Sequence, residues 1–317
     1  MSSKVLKIGT RESQLAVWQA NKVKDLLAEE GYQSELVYIK SEGDIDLQTP
    51  LYEIGVQGIF TRSLDIALLN NRIDLAVHSM KDVPTQLPKG IVQSAVLKRA
   101  SYKDLFVYKD EAEIKDWKLS EVSANAPLGV GGIIATSSIR RKAQWLNRYP
   151  NHTIENLRGN VNTRLRKVAE SNWNGAIFAA AGLERINLRP EASIELDWML
   201  PAPAQGAIVV VCCEDDNFSL GACLPFNDAE TALCTRIEKE FLRTLLGGCS
   251  TPISALAQIK NDQLLFKGNI FSVDGTERVD IEKSVSVTDA ANLGVSAALE
   301  LLAKGGKAIA ENIHHER

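Results

Sequence analysis

Apolar positions recur along the chain in two rhythms, and their alternation predicts the fold class. Val5 to Thr10 reads as a strand. Leu15, Ala16, Gln19, Val23, Leu26 and Leu27 then return at helical spacing up to Gly31, a C-cap, and Glu35 to Ile39 is a second strand. Phe60 to Asn70 carries Phe60, Leu64, Ala67 and Leu68 on one helical face, and the short apolar run Leu75-Ala76-Val77 follows as a buried strand. Gln93 to Val96 and Asp104 to Val107 are further strands. The same alternation resumes with a strand over Gly132 to Thr136 and a helix over Ile139 to Arg148. It continues with a strand over Thr153 to Leu157, a helix over Val161 to Ser171 and a strand over Ala176 to Ala180. Ile208 to Cys212 is an apolar strand and Asp228 to Leu245 a long helix with Leu233, Ile237 and Phe241 on one face. Beyond it the rhythm changes. Gln263 to Lys267, Asn269 to Val273 and Val279 to Val287 alternate as strands, before an Ala/Leu-rich helix over Ala290 to Ala303. Strands alternating with helices, then a strand-rich end, predict an α/β chain closed by a small α+β domain of about 80–90 residues.

Three stretches break the pattern. Ser41 to Gly58 holds Gly43, Asp44, Asp46, Pro50, Gly55 and Gly58 with little periodicity, and a loop of that length in a compact domain is often a functional lid. Asp110 to Gly132 is charged and then rich in small residues, and no element is predicted there. Met199 to Gly206 is a Pro/Gly segment suited to a domain crossing.

Length and composition narrow the class. A chain of 317 residues is long for one core, so two or three domains are expected. With 45% apolar and 24% charged residues and a net charge of -4, it reads as a soluble protein without a general attraction to nucleic acid. No apolar run approaches the roughly 18–20 residues that span a bilayer, and Met1 to Lys7 has no signal-peptide core, so no membrane association and a cytoplasmic setting are expected. Five cysteines (Cys212, Cys213, Cys223, Cys234, Cys249) without a C-x-x-C pair, and four scattered histidines, predict neither a disulfide framework nor a metal site.

Candidate chemistry sits where strands end. The run Leu75-Ala76-Val77 opens into His78-Ser79-Met80-Lys81-Asp82 and is stopped by Val83-Pro84, delivering a hydroxyl, a cation and a carboxylate to one point. In open α/β sheets that point is where ligands sit. The plainer alternative is a turn in which Asp82 bonds nearby backbone N–H groups. Four times a strand end carries arginine: Arg11, Arg140 with Arg141, Arg158 with Arg164, and Arg185. Arg11 and Ser13 flank a helix start, where exposed N–H groups favour anions. Arg140 and Arg141 stand in a first helical turn, against the helix dipole, a local conflict that signals function. From Thr136 to Arg189 there are eight Arg and two Lys against Glu155, Glu170 and Glu184, a local excess of +7. Arginine captures carboxylate or phosphate with two parallel bonds, so five or six at strand ends predict a ligand with several anionic groups. Solvation alone accounts for Arg148, Arg166 and Arg189, and on a helical wheel Arg164 flanks the packed stripe while Arg166 lies opposite, in water. An RNA-binding face would bring more stacking aromatics than Trp145, Tyr149, Trp173 and Phe178. A two-domain receptor for a small polyanion, binding without chemistry, fits the arginines equally well. A zinc nucleobase deaminase would need H-x-E and P-C-x-x-C patterns, which the chain lacks.

Five motifs, read together, settle on one family. Gly9-Thr10-Arg11-Glu12-Ser13-Gln14-Leu15-Ala16, His78-Ser79-Met80-Lys81-Asp82-Val83-Pro84, Thr136-Ser137-Ser138-Ile139-Arg140-Arg141, Leu157-Arg158-Gly159-Asn160-Val161 and Gly247-Gly248-Cys249 resemble the porphobilinogen deaminase (hydroxymethylbilane synthase) family, in that family's order. The resemblance implies a transferase that joins four porphobilinogens head to tail, with loss of ammonia, into 1-hydroxymethylbilane for tetrapyrrole and haem biosynthesis. It implies a dipyrromethane cofactor bound through a thioether, here to Cys249, with Asp82 as the catalytic carboxylate. Ser79, Lys81, Asp82, Ser138, Arg140, Arg141, Arg164 and Gly206 match groups around the cofactor. Arg11, Ser13, Gln19, Arg158, Arg164 and Arg185 match groups that hold substrate carboxylates. It further implies a cytoplasmic monomer of three domains. The first two (1–99 with 205–224, and 100–204) resemble a periplasmic-binding-protein pair with a cleft between them, and the third (225–317) carries the cysteine loop. Two features depart from the family: Gln57 stands where a lysine is common, and the segment from Tyr108 to Gly132 is unusually long.

Overall fold

The computed structural model describes residues 4–41, 60–119, 131–245 and 251–315, with the side chains of 314 and 315 excepted. The loop predicted over Ser41 to Gly58 beyond Ser41 itself, Gln57 within it, residues 120–130 of the unassigned stretch before Gly132, and Cys249 lie outside these residues.

Chain order runs β1 (Leu6–Thr10), α1 (Gln14–Glu29), β2 (Ser34–Tyr38), α2 (Arg62–Leu69), β3 (Leu75–Ser79), β4 (Ile91–Val96), β5 (Asp104–Tyr108) and the short α3 (Glu111–Ile114). It continues with β6 (Ile133–Ala135), α4 (Ile139–Arg148), β7 (Thr153–Glu155), α5 (Val161–Glu170), β8 (Gly175–Ala179), α6 (Ala180–Glu184) and β9 (Ser193–Glu195). The last third holds β10 (Ile208–Cys213), α7 (Asn217–Cys223), α8 (Ala229–Thr244), β11 (Ile253–Lys260), β12 (Gln263–Phe271), β13 (Arg278–Ser286), α9 (Leu293–Leu301) and α10 (Lys307–His315). The described residues fall into two compact units. One holds 4–41, 60–100 and 206–233; the other holds 101–119, 131–205, 234–245 and 251–315.

In the first unit a five-stranded sheet has the order β2-β1-β3-β10-β4, with β2, β1 and β3 parallel and β10 antiparallel to both neighbours. Leu6, Ile8, Leu75, Val77 and Val210 turn one face of this sheet onto Val23 and Leu27 of α1, and all seven are buried. In the second unit the order β7-β6-β8-β5-β9 repeats the same plan: β7, β6 and β8 are parallel, and β5 is antiparallel to both its neighbours. Because successive strand residues point to opposite faces, Leu105 and Val107 enter one core with Ala176 and Phe178. Phe106 enters the other core with Trp117, Trp145 and Ile177, where its ring stacks on Trp145 at 5.2 Å between centroids.

The second unit also holds the antiparallel sheet β11-β12-β13. Gly268 sits in the middle of β12 because Phe241 of α8 lies on it. A Cβ there would meet the Phe241 ring at 2.6 Å. The expected α/β build with a small α+β C-terminal part is met. Three details differ. The two strands expected over 263–273 are one, with Gly268 as a contact point instead of a break. Strands β9 and β11 and helices α3, α6, α7 and α10 were not predicted. The helix predicted to run to Ala303 ends as α9 at Leu301, and a kink at Gly305 separates it from α10. No described helix is long and apolar enough to cross a membrane.

Candidate active site

In the first unit the carboxyl ends of the parallel strands β1 and β3 deliver the predicted residues to one edge of the sheet. Strand β1 ends in buried Thr10, and Arg11 follows with its guanidinium 4.5 Å from the Phe60 ring centroid. Ser13 caps α1: its Oγ accepts from the Ala16 N–H at 3.4 Å. One and a half turns on, buried Gln19 donates through Nε2 to Ser79 Oγ at 2.9 Å, tying α1 to the end of β3. There the chain closes into a single turn, Met80–Asp82, and leaves it extended at Val83 as Pro84 demands. Met80 N–H donates to the Ala207 carbonyl at 3.0 Å, so the turn is held to the segment that begins at Gly206, whose φ is +89°. Lys81 and Asp82 are half-buried on this turn. Arg11, Ser13, Gln19, Ser79, Lys81 and Asp82 thus share one end of one sheet.

Two titratable groups near this edge were not singled out from the sequence. His78, paired with Val209 across β3 and β10, is buried, and its Nε2 has no hydrogen-bond partner. Burial, and then the nearby Arg11 charge, push its pKa down to about 4. Because the folded value lies below the ordinary 6.5, the stability linked to neutral His78 is present above pH 6.5. It is lost as pH falls toward 4. Asp65 on α2 shifts the opposite way: burial raises its carboxyl to about 6 against the hydrogen bond from Thr61. A difference between variants separates the two. The urea midpoint of His78→Gln is expected to fall less, or to rise, between pH 7 and pH 4.5 relative to that of the wild type. Parallel pH dependences would clear His78 of this role.

In the second unit β6, β7 and β8 are parallel, and their carboxyl ends carry five arginines to one edge. Ser138 caps α4, its Oγ accepting from the Arg141 N–H at 3.4 Å. Ser137 Oγ donates to the Leu157 carbonyl and accepts from the Leu157 N–H at 3.1 Å, locking the end of β6 to that of β7. Arg158 follows and is buried. Gly159 turns the chain at φ +113°, a conformation open to glycine, and Asn160 caps α5 through Oδ1 to the Thr163 N–H at 3.0 Å. Arg164 reaches back along α5 and donates through Nε to the Gly159 carbonyl at 2.7 Å, which fixes its guanidinium at the Arg158 turn. Arg166 lies on the solvent side, 3.9 Å from Glu170, with both side chains 68% exposed. Arg185, past β8 at the end of α6, has its pKa lowered to about 10 by burial, partly countered by Glu184.

Arg140 and Arg141 point inward. Arg140 donates through Nη2 to Asp104 Oδ2 at 2.7 Å and through Nη1 to the Leu200 carbonyl at 2.7 Å. Arg141 donates to Asp104 Oδ1 from Nε at 3.2 Å and from Nη2 at 2.7 Å, and through Nη1 to the Ile177 carbonyl at 3.1 Å. Gln205 Nε2 adds a third donor to Asp104 Oδ1 at 3.0 Å. Asp104 escaped the sequence reading because it stands at the head of an apolar strand, 36 and 37 residues upstream of the two arginines it pairs with. Its one signal was an acid opening the buried run Leu105-Phe106-Val107. Glu238 was missed likewise: fully buried on α8, it accepts from the N–H groups of Ala204 at 2.6 Å and Ala257 at 2.7 Å.

The edge of the second sheet, with its arginines, suits a ligand bearing several carboxylates; the edge of the first offers Arg11, Lys81 and the Asp82 carboxylate. Residues 6–220 match the family model described as "Porphobilinogen deaminase, dipyromethane cofactor binding domain", and residues 232–303 match "Porphobilinogen deaminase, C-terminal domain". The chain is 41% identical over 318 aligned positions to a porphobilinogen deaminase of Trichlorobacter lovleyi, covering 99% of this chain and 98% of that one. It is 40% identical over 313 positions to a porphobilinogen deaminase of Syntrophotalea carbinolica, covering 98% and 96%. Among solved structures it is similar to the methionine binding protein MetQ, with 14% identity, a TM-score of 0.44 and coverage of 72% of this chain and 91% of that chain.

Proposed function

The chain belongs to the porphobilinogen deaminase family, a transferase that joins porphobilinogen units into hydroxymethylbilane in tetrapyrrole biosynthesis, and we propose how its residues divide that work. The observation that carries the reading is the cofactor-domain match over residues 6–220, which spans both arginine-bearing sheet edges. Four substrates enter and each loses ammonia, so the growing chain gains an acetate and a propionate at every step. Arg11, Arg158, Arg164 and Arg185 hold these carboxylates, with Ser13 and Gln19 placing the hydroxyl and amide beside them. Guanidinium forks suit this task because they bind carboxylate with two parallel bonds.

Asp82 is the catalytic carboxylate. Loss of ammonia leaves an electron-poor pyrrole, and a fixed negative charge beside its N–H lowers the energy of that positive charge as it develops. The same carboxylate manages the proton transfers that joining two rings requires. The residues fit a dipyrromethane, whose two rings also bear carboxylates: Arg140 Nε is a buried donor without a partner, beside an arginine pair that shares a single protein carboxylate. Ser79, Lys81, Asp82, Ser138, Arg140, Arg141, Arg164 and Gly206 hold it, and Cys249 anchors it through a thioether. When bound, the dipyrromethane supplies the pyrrole end to which the first substrate is joined. The enzyme acts as a cytoplasmic monomer with no nucleic-acid or membrane partner, built as domains 1–99 with 205–224, 100–204 and 225–317.

Two measurements on the purified chain test this reading. Its intact mass should exceed the sequence mass by two pyrrole units, and porphobilinogen should yield one hydroxymethylbilane per four ammonia released. A chain of bare sequence mass that releases no ammonia overturns it. Arg164 and Arg166 give an internal control. Arg164→Ala is expected to lower turnover at least about tenfold, the loss of one charge-assisted contact of roughly 1.4 kcal/mol or more. Arg166→Ala, which removes an exposed surface pair, should keep nearly all activity. Equal losses in steady-state assays would remove Arg164 from ligand binding.

A further inference from the structure

Asp104 is fully buried, and Arg140 and Arg141 are only 4% and 6% exposed. Among the described residues one carboxylate therefore faces two guanidiniums, which leaves a buried excess of one positive charge. An uncompensated buried charge costs several kcal/mol, and a fold rarely retains one without a use for it. The hydrogen bonds point the same way. Each guanidinium has five N–H donors, and Arg140 spends its own on Asp104 and Leu200, leaving Nε buried without a partner. Arg141 is gripped more fully, by two bonds to Oδ1 and one to Ile177. Gln205, which also donates to the Tyr102 carbonyl at 2.8 Å, fixes the carboxylate from the other side.

We propose that Asp104 is a positioning residue of the reaction: it aims the Arg140–Arg141 pair and cancels one of its two charges, so that the remaining charge meets one carboxylate of the dipyrromethane. This rests on the assignment of both arginines to the cofactor. Without Asp104 the pair carries two like charges side by side and the guanidiniums move apart, so the acceptor ring loses its alignment. Substrate is held by other arginines, so its binding is spared. Asp104 touches no reacting atom, and its effect passes through the two arginines.

The test compares wild type, Asp104→Asn and Asp104→Glu, each purified as the full chain, by intact mass, melting temperature and steady-state kinetics. Asp104→Asn is expected to carry the added mass in a smaller fraction of molecules. Its kcat per loaded molecule should fall about thirtyfold with KM within about twofold, the pattern of a lost transition-state interaction. Asp104→Glu should regain part of the kcat. A purely structural Asp104 would lower the melting temperature while leaving kcat per loaded molecule unchanged, and that result overturns the inference. Should Asp104→Asn fail to fold, the double variant Asp104→Asn/Arg141→Gln restores the native buried charge. It is expected to fold with kcat still depressed, whereas wild-type kcat in that variant also overturns the inference. The two readings separate at the wild type. A wild-type chain without the added mass overturns the cofactor assignment and this inference with it. A loaded wild type beside an equally loaded, equally fast Asp104→Asn overturns the inference alone.

Discussion

Asp82→Asn is expected to fold, to keep its cofactor and to turn over at least about two orders of magnitude more slowly, a loss of roughly 2.7 kcal/mol of transition-state stabilisation. The fold has no reason to fail. Asp82 ends a single half-buried turn whose frame is made by the backbone, Met80 to Ala207 and Val83 to Met80, and an asparagine of the same shape leaves those bonds in place. Cofactor content should hold because the arginines beyond β6, β7 and β8 retain their charges. On the proposed role, what asparagine removes is the negative charge that faces the positive charge developing in the reaction. Asp82→Glu keeps the charge and displaces it by one methylene, so its activity should lie between the two. Single-turnover kinetics of both variants, with loading checked by mass, separate the possibilities. An Asn variant that is loaded and near-normal in turnover would return Asp82 to the turn-forming role that its place before Pro84 also allows.

How much of this site was legible in the sequence depended on whether the signal was local. An apolar run that gives way to polar or charged residues marks a strand end: the runs predicted for β1, β6 and β7 lead straight into Arg11, Ser137 and Arg158, while that for β3 opens into His78-Ser79 and that for β8, ending at Ala180, reaches Arg185 five residues on. The wheel over 161–171 separated Arg164 from Arg166 because helical geometry alone decides which side each takes. Pairings between distant segments left no such trace. The +7 counted from Thr136 to Arg189 omitted Asp104, which lies well upstream of that window and is the counter-charge for two of its eight arginines. Strand β11 was missed for a different reason. Ile253 to Ala257 are buried without interruption, so the period-two alternation that announces a strand is absent. In β12 the glycine that suggested a break is where the Phe241 ring lies against the sheet.

Cys249→Ala should abolish the added mass and, with it, turnover, by at least about three orders of magnitude or roughly 4 kcal/mol. Cys249 itself lies outside the described residues, so its case rests on the family motif Gly247-Gly248-Cys249 and on the state of the other thiols. A thioether forms through the thiolate, which a buried apolar setting suppresses. Cys212 and Cys223 are buried in the core of the first unit, and burial pushes their thiols up to about 12 and about 11. Burial also raises Cys213, further favoured in its neutral form by the charges of Asp215, Asp216 and Asp74, and its sulfur donates to the Leu68 carbonyl at 3.4 Å. Cys234 is buried on α8. At neutral pH Cys212, Cys213 and Cys223 are thus held as thiols, which is consistent with the proposal that Cys249 is the attachment point. The measurement is intact mass of the wild type and of Cys249→Ala, together with ammonia release from porphobilinogen. Cys212→Ala and Cys223→Ala, made in parallel, should keep the added mass and lose only stability, since each deletes a sulfur from a packed core. An adduct that survives in Cys249→Ala, or disappears in a core variant that still folds, would move the attachment point to another cysteine.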